Sequence, residues 1–224
     1  MKLSLIAFVF FSIFLSSQAQ QTERKTVKGK NPHSTEVFYV IKGTDIKHGK
    51  YNKTLRGVIQ ISEKGQYENG IKTGVWEYLD PKGQVEQRYD FSKNKLIYNK
   101  NESTPFAGST KSAVIIDGKL YENTTGKLPL LLGGISKYTY YLANNLQYPS
   151  QARANQIEGT VIVSVTITAD GQIVDEQIEG DAAYGLGEEA LRIAQLLPDE
   201  WIPLVIDGKP VATRLFIPIR FKLS

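Results

Sequence analysis

Residues 159–178 read GTVIVSVTITADGQIVDEQI, and this stretch decides the fold. Val161, Val163, Val165 and Ile167 alternate with Ile162, Ser164, Thr166 and Thr168, the period of a strand with one face buried. Ala169-Asp170-Gly171-Gln172 predicts a hairpin turn with Gly171 at positive φ, and Ile173 to Ile178 predicts the returning strand. Leu186, Ala190, Ile193, Ala194 and Leu197 then recur at helical spacing, and Pro198 ends that helix. Past Trp201-Ile202-Pro203 and an Asp207-Gly208 turn comes a last strand. Val211, Thr213, Leu215, Ile217, Ile219 and Phe221 form its apolar face; Ala212, Arg214, Phe216, Pro218 and Arg220 lie opposite. Upstream, Leu132-Gly133-Gly134 opens a helix carrying Ile135, Tyr138, Leu142 and Leu146 and closing at Tyr148-Pro149. Pro149 suits the first position of a short second helix through Ala152, Arg153 and Ala154, closed by Glu158-Gly159.

Pro218 assigns a position to the last strand. An interior strand cannot spare a backbone donor, so the strand is expected on a sheet edge with residue 218 facing outward. Backbone groups of alternate residues share a side, so Ala212, Arg214, Phe216 and Arg220 are expected to offer theirs to an incoming strand, with Val211, Thr213 and Leu215 completing the site. Four to six such bonds, at ~0.5–1.5 kcal/mol each, predict a weak, reversible grip. The same Pro218, Arg214 and Arg220 are also residues that block an edge against aggregation.

The first half reads differently. Ile46-Lys-His-Gly-Lys-Tyr51 and Ile71-Lys-Thr-Gly-Val-Trp76 match at a period of 25 residues. Strand-like runs at Val58 to Ile61, Val75 to Leu79 and Val85 to Phe91 are punctuated by Lys64-Gly65, Asn69-Gly70 and Lys82-Gly83. Hairpins are expected over residues 44–98, stacking Tyr51, Trp76, Tyr78, Tyr89 and Phe91 along a shared face, as core or as an exposed binding face. Residues 20–43 form an N-terminal segment. Residues 99–129 read as a linker with one strand-like island, Ala113 to Ile116, and an Asp117-Gly118 turn.

Lys2 precedes an apolar run from Leu3 to Leu15, then Ser17 and Ala19. This predicts a signal peptide over residues 1–19, cleaved after Ala19 into the periplasm; the alternative is an uncleaved leader anchored in the inner membrane. With no cysteine, disulfides, thiolate zinc sites, a cysteine nucleophile and a lipid-modified cysteine are excluded. His33 and His48 are the two histidines, too few for a metal centre. Residues 20–129 hold 19 basic and 12 acidic side chains and residues 130–224 hold 7 and 11, which suggests two units rather than a nucleic-acid footprint. Glu188 and Glu189 diverge on a helix flank, and Asp175 and Glu176 point to opposite faces of a strand. Without a nucleophile–base pair or a phosphate loop, no enzyme and no cofactor are expected.

Tyr67, Gly70, Gly74 and Trp76 make residues 44–98 resemble MORN-type repeats of exported bacterial proteins. Residues 130–224 resemble the C-terminal domain of the TonB family. The matching motifs, in family order, include Tyr148-Pro149 with Arg153, Gly159, Gly171, Trp201 with Pro203, and the terminal Pro218 to Phe221. The resemblance implies an α+β fold, a small antiparallel sheet carrying two helices. It also implies a cell-envelope protein that engages a TonB-box-like peptide of outer-membrane receptors by strand addition, in support of transmembrane transport. Energy transducers of this kind work with inner-membrane motor proteins. Here the prolines are scattered and residues 20–129 hold repeats instead of a proline-rich rod, so energy coupling stays open. The alternative is an envelope scaffold whose TonB-like domain packs on its own repeats or self-associates.

Overall fold

The computed structural model describes residues 21–30, 33–55, 61–100, 112–125, 127–180 and 182–223. The expected leader, 1–19, lies outside them, as do residues 58–60 of the run read as a strand up to Ile61. No described helix is long and apolar enough to cross a membrane.

The first half is a seven-stranded antiparallel meander in sequence order: β1 (Thr22–Lys30), β2 (His33–Ile41), β3 (Lys47–Leu55), β4 (Ile61–Glu68), β5 (Ile71–Leu79), β6 (Val85–Asp90) and β7 (Lys95–Asn99). The N-terminal segment and residue 99 therefore belong to the same sheet as the hairpins. Asn69 and Gly70 turn β4 into β5 at φ 49° and 86°, as a two-residue hairpin demands. The two copies of the 25-residue pattern fall on β3 and β5, where Tyr51 and Trp76 are buried with ring centroids 5.2 Å apart. Tyr67 packs edge-on against both, and Phe91 against Trp76 and Tyr89. Tyr51, Trp76, Tyr78 and Tyr89 are thus core, because a single-layer meander has to bury its rings against one another.

Lys64-Gly65 is not a turn. Gly65 lies inside β4, opposite Tyr51, where the β4–β5 register shifts between Lys64 and Gln66. A Cβ there would stand 2.3 Å from the Trp76 indole, so glycine is needed for ring clearance rather than for chain reversal.

The second half contains β8 (Ser112–Ile116), β9 (Lys119–Glu122), β10 (Leu130–Leu131), α1 (Gly134–Asn145), α2 (Ser150–Ala154), β11 (Gly159–Ile167), β12 (Ile173–Glu179), α3 (Leu186–Gln195), β13 (Trp201–Ile202), β14 (Leu204–Ile206) and β15 (Lys209–Phe221). One antiparallel sheet has the order β12-β11-β15-β8-β9, with β14 also on β15, and β10 pairs with β13. The architecture is α+β, with the three helical segments that the sequence pattern predicts, one more than the family resemblance implied. Residues 112–122, read as linker, form a hairpin of this sheet, because the apolar island at 113–116 buries Val114 only by joining it. Val161, Val163, Val165 and Ile167 of β11 and Leu215, Ile217, Ile219 and Phe221 of β15 pack with Leu186, Ala190, Ile193 and Ala194 of α3 and Ala152 of α2. The period-two and period-3.6 patterns meet in this core.

Candidate functional site

The β11–β15 ladder runs without a bulge from Thr213 to Phe221. Pro218 sits opposite Ile162, and since it has no N–H its backbone must face away from β11. Residues of the same parity, Ala212, Arg214, Phe216 and Arg220, share that outward side. Pro210 obeys the same rule against β14, opposite Val205.

The expectation that this whole side is free is corrected by β8. Ala212, Thr213, Arg214 and Leu215 register with Ile115, Val114, Ala113 and Ser112, and Val211 pairs with Leu204 of β14. From Phe216 to Phe221, no described strand is registered on the outer side. That stretch offers the N–H and C=O of Phe216 and Arg220 and the C=O of Pro218, with Phe216 and Pro218 half-buried and Arg220 exposed.

The other edges suit pairing less. The outer edge of β12 carries Asp175 at φ 56°, and its ladder with β11 is bulged between Ser164 and Thr166. Bulges and acidic side chains blunt an edge. At the opposite end β9 has only 4 residues.

The Arg214 side chain is engaged within the sheet. Its Nη2 donates to Ser164 Oγ at 2.7 Å and Gln177 Oε1 at 3.1 Å, with Glu179 at 3.9 Å, so it clamps β15, β11 and β12 together. The remaining motif residues build scaffold. Tyr148 donates its hydroxyl to the Ile157 carbonyl at 2.6 Å and packs edge-on against the buried Phe221, while Arg153 lies 5.7 Å over its ring. Pro149 caps α2 rather than occupying its first turn. Gly159 opens β11 opposite Phe221. Gly171, at φ 79°, accepts from the Trp201 N–H at 3.2 Å, and a Cβ there would meet the Trp201 carbonyl at 2.1 Å. Trp201 Nε1 donates to the Pro198 carbonyl at 2.9 Å, and Pro203 links β13 to β14.

Residues 144–223 match the family model described as Gram-negative bacterial TonB protein C-terminal. This segment is similar to TonB C-terminal domains. A curated protein named Protein TonB, from Vibrio cholerae serotype O1, is 39% identical over 81 residues, 35% of this chain and 32% of that protein. The match thus spans about a third of the relative's length. No solved structure matches the chain. The β8–β9 hairpin lies outside the matched residues, so β15 of the matched segment is partly covered by a strand from elsewhere in the chain.

The second half is joined to the meander by polar contacts that local sequence patterns do not reveal. The N-terminus of α1 has no side-chain cap of its own. Glu86 of β6 supplies a carboxylate instead, accepting from the Ser136 N–H at 3.2 Å, and Gln87 accepts from the Gly133 N–H at 2.7 Å. A Cβ on Gly134 would stand 2.5 Å from Glu86 Oε1, which explains the glycine pair that opens the helix. Glu200 binds Lys72 at 2.5 Å and Lys137 at 2.9 Å, and Lys137 lies 3.6 Å from Glu63. These groups come from β4, β5, α1 and the segment before β13. No spacing in the sequence brings them together; Gly133-Gly134 is the one local signal.

Burial alone would raise the Glu200 carboxyl, but Lys137 and Lys72 outweigh it and hold the pKa at about 2, below the ordinary 4.5. Burial disfavours charge on Lys137, yet Glu63 and Glu200 raise its pKa above 10.5. A lowered acid contributes stability above its unfolded pKa and loses it as pH falls through the folded value. The joint should therefore weaken from about pH 4.5 down to about 2. Thermal unfolding of Glu200→Gln across that window should show a shallower acid loss than the unsubstituted chain; parallel curves would contradict this reading.

Proposed function

We propose that this protein holds an extended segment of an outer-membrane receptor by antiparallel strand addition along β15, from Phe216 to Arg220, as a binding protein of the cell envelope rather than an enzyme. The observation supporting this reading is the outward backbone of Phe216, Pro218 and Arg220, uncovered among the described residues, at the end of a segment similar to TonB C-terminal domains. About five main-chain hydrogen bonds at ~0.5–1.5 kcal/mol each give roughly 3–7 kcal/mol before ordering costs. That is a grip suited to transient engagement. Phe216 and Pro218 offer an apolar step for the incoming side chains, and Arg220 favours an acidic one.

The experiment is a titration of the exported chain with TonB-box-like peptides, followed by amide shifts. Changes centred on residues 216–221 are expected. Changes confined to β12 or β9 would move the site, and no response at any concentration would remove it.

The periplasmic location and cleavage after Ala19 belong to the same proposal. Intact mass of the exported protein should lack residues 1–19. Retention of the leader would instead favour an anchored protein, with inner-membrane motor proteins as partners.

A scaffold role is the second reading, favoured by the ion pairs at Glu200 that pack the TonB-like segment on its own meander. The meander, as a MORN-like repeat unit, then serves as a second interaction surface.

A further inference from the structure

Between the meander and the second half lies a cavity of about 290 Å³, close to the lower end of the ~300–1,000 Å³ typical of small-molecule sites. Tyr51, Tyr67 and Tyr78 line it from the meander and Tyr140 and Tyr141 from α1. Tyr78 is 1% exposed, and its hydroxyl has no hydrogen-bond partner among the described residues. That oxygen is sealed beneath the wall, so the polar groups open to the cavity are the charged ones.

The charged groups on the same wall are close without being closed. Lys53 Nζ stands 3.9 Å from both Glu36 and Glu63, and Lys47 Nζ 3.6 Å from Glu36. These separations exceed the ~2.7–3.2 Å of a direct hydrogen bond and leave donors and acceptors for a bridging group. Since the signs alternate, an incoming anion meets a glutamate beside every lysine, and a cation the converse. A hydroxyl, by contrast, donates to a carboxylate and accepts from an ammonium at once.

We propose that this cavity binds a neutral mono- or disaccharide. Its hydroxyls bridge Lys53, Glu36 and Glu63, and a C–H face of the sugar ring packs on the half-buried Tyr67, Tyr140 and Tyr141. The inference is independent of the strand-addition reading, because none of these residues lies on β15.

The test is titration of the full exported chain with glucose, N-acetylglucosamine, cellobiose and chitobiose, with glucuronate and glucosamine as charged controls. At least one neutral sugar should bind saturably and shift amides of β4 and α1. Lys53→Met, which removes the bridged ammonium, should weaken sugar binding ~tenfold. Tyr141→Ala, on the half-exposed rim, should weaken it as well, whereas Arg220→Pro should leave it unchanged. No saturable binding at tens of millimolar, preference for a charged control, or unaltered affinity in both the Lys53 and Tyr141 variants would overturn the proposal.

Discussion

Gly65→Ala should destabilise the meander by about 3 kcal/mol and lower its Tm by roughly 10 °C. The Cβ it adds would stand 2.3–2.5 Å from three atoms of the Trp76 indole. That ring cannot retreat. It is fully buried, it packs at 5.2 Å from both Tyr51 and Tyr67 and at 5.7 Å from Phe91, and its Nε1 donates to the Gln66 carbonyl at 3.2 Å. Gly74 provides the control. Its φ is 62°, but nothing lies within 4 Å of a Cβ, so Gly74→Ala should cost only the left-handed backbone, about 1–2 kcal/mol. Thermal unfolding followed through tryptophan fluorescence ranks the two. Equal losses would mean that backbone conformation, not ring clearance, selects glycine at position 65.

The second large effect is a contrast between neighbours on β15. Ile219→Pro should unfold the C-terminal domain. Ile219 is 2% exposed, registers with Val161, and turns its backbone toward β11, so proline there removes a buried ladder bond and disrupts the core, at about 3 kcal/mol or more. Arg220→Pro deletes an N–H of the opposite parity. It should leave the far-ultraviolet circular dichroism and Tm nearly unchanged, as Pro218 already does, while weakening receptor-peptide binding ~tenfold through one lost main-chain hydrogen bond. If Arg220→Pro unfolds the domain as Ile219→Pro does, the outward side of residue 220 is already in use.

These two sites also show what the sequence made legible. The alternation in 159–178, the helical spacing from Leu186 to Leu197 and the inward set Val211 to Phe221 correspond to β11, β12, α3 and β15, because each pattern is local and each face buries against a single core. The parity set by Pro218 is equally local. What covers half of the outward side is not. β8 reaches β15 from about a hundred residues upstream, and its five residues stand in polar sequence with nothing to mark their destination. Lys64-Gly65 misled for a related reason. A glycine that clears a ring looks like a glycine that turns a chain until the ring's position is known. The ion pairs around Glu200 join residues more than sixty positions apart and leave no periodic trace.

Amide hydrogen exchange at Phe216 and Arg220 tests the open edge most directly. In the free protein both N–H groups should exchange quickly while those of Ile217 and Ile219, bonded into the β11 ladder, stay protected, and an excess of receptor peptide should slow Phe216 and Arg220 selectively. Strong protection of Phe216 and Arg220 before any peptide is added would show the outer side of β15 already paired along its whole length and would contradict the account.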